Sequence, residues 1–231
     1  MNLYEHWETH HEHSKIDLKT AFEAIVPNNL EKKKIIREGL NLDYMILLNR
    51  TLANELFNQL RASVEYYDGE LTKVRVFGKW HKIPRQQCAY GDAGLNYKFS
   101  GVCLPAKEWL PPLIAIRKLL LRVTGHDYNF VLINRYRDGT DHMGEHKDDE
   151  AELDPNTPIA SLSLGQERPF VLDTETVGKR SRKGNHSSFE NELGAWQLIT
   201  HESTYQQILV PFPAEKKNCT WRKNQSHIQK N

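Results

Sequence analysis

The stretch Phe130–Glu150, FVLINRYRDGTDHMGEHKDDE, decides how this chain is read. Phe130–Tyr136 is rich in β-branched and aromatic residues and stops at an Asp138-Gly139 turn, so a strand is expected there. Side chains alternate across a strand, which puts Leu132, Asn134 and Tyr136 on one face and Val131, Ile133 and Arg135 on the other. His146 and Asp148 are also two apart, so an extended backbone aims both at one point. An imidazole nitrogen and a carboxylate oxygen on that spacing are two of the three donors of the 2-His-1-carboxylate triad, which leaves positions open on Fe(II). Alone, the pair is weak evidence. In a chain with 11 histidines, most such pairs are solvated surface residues.

The surroundings sharpen the reading. Asn134-x-Tyr136, the Asp-Gly turn, His146-x-Asp148-Asp149-Glu150 and the strand-like PIASLSLG of Pro158–Gly165 together resemble the AlkB family of iron- and 2-oxoglutarate-dependent nucleic-acid demethylases. The resemblance is continuous from about Val74 to Val171. It implies a double-stranded β-helix (jelly roll) and Fe(II) held by the catalytic residues His146 and Asp148. It further implies 2-oxoglutarate as co-substrate on Asn134 and Tyr136, and Asp149 as a carboxylate that reads the base. DNA repair by oxidative demethylation of N-alkylated bases, with duplex DNA as partner and the nucleus as location, is what the family resemblance leads one to expect.

Length and charge set the frame. At 231 residues the chain can build one substantial core, and a monomer is expected. With 31 basic and 30 acidic residues the formal charge is +1, so any DNA-binding surface must be a local basic patch. Cys88, Cys103 and Cys219 include no C-x-x-C pair, which argues against a disulfide framework and fits a reducing compartment. No membrane-length apolar run and no signal peptide are legible, so a soluble intracellular protein is expected.

Residues 1–15 are polar and rich in histidine (His6, His10, His11, His13), and read as a flexible tail. Members of the family can carry a short sliding-clamp motif there: a basic residue, an aromatic, two aliphatics and a basic residue. None appears in this chain. Leu52, Leu56, Leu60 and Val64 recur every fourth residue and predict a helix over about 51–66. Pro111-Pro112 opens a second, with Leu113, Ile116, Leu119, Leu120 and Val123 on one side and Gly125 closing it. Helices followed by short strands predict an α+β domain over 16–183, with N-terminal helices bracing a β-sandwich.

The stretch KVRVFGKWHKIPR, Lys73–Arg85, is the nucleic-acid candidate. Val76-Phe77-Gly78 on a turn between strands offers an apolar wedge for a base stack, while Lys73, Arg75, Lys79, Lys82 and Arg85 suit phosphates. The bland alternative is an ordinary hairpin with a solvated face. The family resemblance adds that the finger fills the place of a flipped base and that Tyr97 and Phe99 line its pocket. Chemistry on a base within a duplex requires extruding it.

From Gly184 onward the family pattern stops. His186, His201 and His227 are present, but none lies in the W-x-H-S-x-P context of the family's second histidine, and the two downstream arginines are missing. Plausible codons for Thr204–Pro213, read one nucleotide out of register, give P-T-N-K-Y-W-Y-H-S. Lys217–Lys230 likewise gives R-I-N-L-T-F-R-K within a longer run, and Leu172–Val177 fits a smaller slip. Residues 184–231 therefore read as an out-of-frame tail, which leaves the jelly roll incomplete at its C-terminus and this chain inactive as written. Two other readings stay open: a catalytically dead DNA-binding pseudo-enzyme, and a cupin-like domain holding another divalent metal through His142 and His146.

Overall fold

Short polar residues start two of the three α-helices among the described residues. Asp17 accepts a hydrogen bond from the Lys19 N–H and opens α1, Leu18–Glu23. Asn49 does the same for Leu52 and opens α2, Arg50–Ser63. The third, α3 (Pro111–Thr124), begins on two prolines, whose missing N–H groups have no partner in a first turn anyway. It stops at Gly125, where φ is 78° and the N–H returns to the Leu121 carbonyl. The computed structural model describes residues 16–37, 40–99, 101–148, 152–166, 168–173, 188–193, 197–201, 206–209 and 216–222. From residue 168 on, side chains are described only at 197–200.

The strands are β1 (Lys32–Arg37), β2 (Leu40–Ile46), β3 (Lys73–Val76), β4 (Lys79–Lys82), β5 (Gln86–Gly91), β6 (Asn96–Phe99), β7 (Val102–Pro105) and β8 (Phe130–Tyr136). They continue with β9 (Met143–Lys147), β10 (Ile159–Gly165), β11 (Arg168–Asp173), β12 (Ser188–Leu193), β13 (Gln197–His201), β14 (Gln206–Leu209) and β15 (Lys216–Arg222). A seven-stranded sheet runs β1-β2-β13-β10-β15-β8-β5, and a four-stranded sheet runs β12-β11-β14-β9. Every pairing in both is antiparallel. Two hairpins, β3–β4 and β6–β7, stand apart from them. This is an α+β jelly roll.

Alternation along β8 divides the interior as the sequence predicts. Val131 and Ile133 join the helix-facing core with Leu56, Leu60, Leu113, Ile116, Leu119 and Leu120. Leu132 and Phe130 face the other way and pack with Ala89, Tyr97, Val102 and Leu104. On β10 the same rule sends Ala160, Leu162 and Leu164 to the helices, and leaves Ile159, Ser161 and Ser163 on the opposite face.

α3 follows β7 and still reaches α1, covering the same sheet face. Residues between 188 and 222 also supply main chain to both sheets. β13 sits between β2 and β10, and β15 sits between β10 and β8.

Leu56 is fully buried in α2, whereas Leu121 of α3 is exposed. Leu56→Ala is expected to cost about 2–5 kcal/mol in urea denaturation. Leu121→Ala should stay within about 0.5 kcal/mol. Equal losses would place the core on the wrong helix face.

Candidate active site

β9 carries His146, with Asp148 just past its end. His146 Nε2 lies 3.5 Å from Asp148 Oδ1, and the carboxylate is fully buried. The other ring nitrogen, Nδ1, is 3.0 Å from the Gly144 carbonyl. A carbonyl can only accept, so Nδ1 donates to it and Nε2 is the ring atom turned toward Asp148. A metal-ligating imidazole is held in the same way, with its second nitrogen hydrogen-bonded to a carbonyl. The expected juxtaposition of His146 and Asp148 is therefore present.

The turn from β8 to β9 is held by charge. The Arg137 guanidinium spans both Asp141 oxygens, Nη2 to Oδ1 and Nε to Oδ2 at 2.7 Å each, and the Arg137 N–H donates to Oδ2 as well. Asp138 closes the tip by accepting from the Thr140 N–H and hydroxyl. The His142 N–H bonds the Pro84 carbonyl, which ties this turn to the segment leading into β5. The His142 ring turns to the Thr140 carbonyl. Among the described residues no group of three His, Cys, Asp or Glu side chains is placed to hold a metal. This leaves the cupin-like pairing of His142 with His146 without a third donor among them.

Asn134 and Tyr136 are both buried on the face of β8 away from the helices. Gln87 of β5 stands in register beside Asn134 and is equally buried. Arg85, expected to grip phosphate with the hairpin lysines, instead turns inward. Its Nε donates to Asn134 Oδ1 at 2.8 Å, and Nη2 makes a longer 3.5 Å contact with Gln87 Oε1. Burial lowers its pKa. Gln87 Nε2, Ser161 Oγ and Ser163 Oγ are buried without a hydrogen-bond partner among the described residues. Buried polar atoms left so call for a partner such as a water, an ion or a ligand. One imidazole, one buried carboxylate and these polar groups suit a hard divalent cation with an oxygen-rich co-substrate. Sequence reading passed over Gln87 and both serines, since a polar residue inside a strand is no signal until its face is known.

The hairpin has the expected shape. Val76 pairs with Lys79, so Phe77-Gly78 is a two-residue turn with φ of 46° and 79°. Positive φ at both central positions defines the type I′ family, which suits the twist of a hairpin. Gly78 takes it freely, whereas for Phe77 the left-handed region costs roughly 1–2 kcal/mol. The Phe77 side chain is fully exposed, and Val76 and Trp80 are exposed beside it. Lys79 and Lys82 are exposed, and Lys73 pairs with Glu70 at 2.6 Å. Tyr97 is buried against Phe130, ring centroids 5.9 Å apart, as part of a packed cluster. The Phe99 side chain and Asp149 lie outside the described residues.

With fold and site in place, the comparisons with known proteins are specific. The family model of the 2OG-Fe(II) oxygenase superfamily matches residues 44–206, and the chain belongs to that superfamily. Within it, the chain is similar to the DNA oxidative demethylases ALKBH2, which bears out the AlkB resemblance. It is 52% identical to the Mus musculus protein over 147 residues, covering 63% of this chain and 62% of the relative. The Homo sapiens protein is 54% identical over 140 residues (61% and 54%), and that of Bos taurus 49% over 165 (71% and 58%). The chain thus spans between 54% and 62% of the length of these relatives. No helix among the described residues is long and apolar enough to cross a membrane.

The Arg137–Asp141 pair yields a pH test. Burial pushes the Asp141 carboxyl up, but the hydrogen bonds from Arg137 outweigh it and hold the pKa below 3.8. A lowered carboxyl stabilises the fold above its unfolded pKa, and that contribution is lost as pH falls through the lowered folded value. Asp141→Asn is therefore expected to destabilise at pH 7 and to flatten the loss of stability below about pH 4. Denaturant curves at pH 7 and pH 3 check this, and parallel losses in both proteins would contradict it.

Proposed function

We propose that this chain is a DNA-repair dioxygenase that removes N-linked alkyl groups, of the 1-methyladenine and 3-methylcytosine type, from bases in nuclear duplex DNA. The observation that carries the reading is the His146–Asp148 pair beside a polar interior, in a chain about half identical to proteins named as DNA oxidative demethylases. Fe(II) and 2-oxoglutarate, when bound, would let O₂ hydroxylate the N-alkyl carbon while 2-oxoglutarate is decarboxylated to succinate and CO₂, and the hydroxylated group would leave as an aldehyde.

In this reading His146 and Asp148 are two metal ligands. Hydrogen bonding of Nδ1 to Gly144 fixes the ring, and burial keeps water from the carboxylate. Asn134 and Tyr136 bind the co-substrate from β8. Phe77 enters the base stack, flanked by Val76 and Gly78, while Lys79 neutralises phosphate. Tyr97, Phe99 and Asp149 are assigned to the extruded base. A wedge and a pocket belong together, since the wedge occupies the gap that flipping leaves.

We also propose that residues 184–231 are translated out of register. The family motifs recovered by one uniform shift support this.

The test compares the chain as written with one whose frame is restored after Lys183. The restored chain is expected to release succinate with methylated duplex DNA, and to lose that activity with His146→Ala or Asp148→Ala. No succinate from either chain would overturn the enzyme reading. Full activity in the chain as written would overturn the register reading alone.

Phe77→Ala isolates the wedge. It is expected to weaken duplex binding by about 1–3 kcal/mol, the scale of one stacked base, and single-strand binding by clearly less. Equal losses on both, measured by fluorescence anisotropy, would leave Phe77 no part in opening the duplex.

A further inference from the structure

Arg85 occupies an unusual position for a residue beside a basic hairpin. Three residues after β4, it is turned into the protein with its guanidinium between two buried carboxamides, those of Asn134 and Gln87. These amides stand side by side on paired strands, β8 and β5. Arginine has five donors and no acceptor. Whatever touches it must be an acceptor, so the amide oxygens face Arg85 and the NH₂ groups face away. This holds regardless of how amide nitrogen and oxygen are told apart, because only one orientation avoids setting N–H against N–H.

The consequence is a pair of donors. The Asn134 side chain makes no other hydrogen bond among the described residues, and Gln87 Nε2 is buried without an acceptor among them. Two NH₂ groups next to a buried guanidinium form a positively polarised corner, and the group that fits it is a carboxylate. We infer that Arg85 is a positioning residue: it locks the Asn134 and Gln87 carboxamides so that both present N–H donors to a carboxylate of the bound co-substrate. The inference rests on the co-substrate reading of Asn134 above, and it adds Gln87 as a contact and Arg85 as the group that orients both. Without Arg85, either amide can turn its oxygen toward the carboxylate and repel it.

The test uses the full chain and begins without ligand. Side-chain ¹⁵N–¹H signals of Asn134 and Gln87 are assigned by substitution and compared in wild type and Arg85→Met. Both signals are expected to move, and Arg85→Lys, which keeps the charge and one donor, should preserve more of the wild-type pattern. Signals that stay in place in Arg85→Met would overturn the inference. If Arg85→Met fails to fold, Arg85→Lys carries the same comparison, and again unmoved signals would overturn it.

The second step titrates 2-oxoglutarate with Mn(II) present into the chain whose frame is restored after Lys183, and into its variants. Arg85→Met is expected to weaken its binding roughly ten- to a hundredfold, the range for a hydrogen bond to a charged group. In an Asn134→Ala, Gln87→Ala background the same substitution should add less than about twofold, because Arg85 acts through those amides. Losses that simply multiply would overturn the inference. So would an unchanged 2-oxoglutarate affinity with a shallower salt dependence of duplex binding, the signature of a phosphate contact. If the frame-restored chain does not bind 2-oxoglutarate, the co-substrate reading falls and the carboxylate assignment with it; the ligand-free spectra then decide the orienting role separately.

Discussion

The antiparallel register at β8 is the constraint on which the rest depends. β8 pairs with β5 on one side and β15 on the other, and its register with β5 fixes which residues of these two strands face the helices. Val131 and Ile133 anchor one face in the helical core, and this forces Leu132, Asn134 and Tyr136 to the other. A slip of one residue would exchange the faces, burying Asn134 among leucines. The Gln87↔Asn134 pairing belongs to the same register, and so does the placement of Arg85 at the entrance to β5. The polar interior is thus a by-product of apolar packing on the other side of the sheet.

The hairpin follows a different logic. It is a two-stranded ribbon with an exposed aromatic at its tip in the left-handed region, and neither feature helps folding. Its attachment is one-sided. Val74 packs under it and Ile83 is buried just beyond it, while β4 is exposed along its length. Strain of this kind at a tip, with lysines close by, is the pattern of a part that acts on something outside the protein. The Ile83-Pro84-Arg85 segment then links the ribbon to the interior: Pro84 bonds the β8–β9 turn and Arg85 bonds Asn134.

Much of this was legible in the sequence, and for physical reasons. The β8 bounds, the α3 stop at Gly125 and the stripe of α2 rest on local periodicity and on backbone freedom, which short windows carry. The H-x-D pair was legible because a strand period of two acts within three residues. The inward contacts of Arg85 were not legible, because its neighbours are solvated bases and its partners, Asn134 and Gln87, lie on strands whose pairing no local pattern reveals. The C-terminal strands are legible mainly as main-chain pairings, and the superfamily match ends at residue 206.

The most direct measurement is paramagnetic broadening in the ¹⁵N–¹H spectrum of the full chain as Mn(II) is added, which detects even weak binding. Broadening is expected to start at His146 and Asp148 and to reach Asn134 and Tyr136 next, with the β3–β4 hairpin affected later. Asp148→Ala should remove that pattern. Broadening that starts instead at the histidine-rich residues 1–15, and persists in Asp148→Ala, would contradict the claim that this pair forms the metal edge of the site.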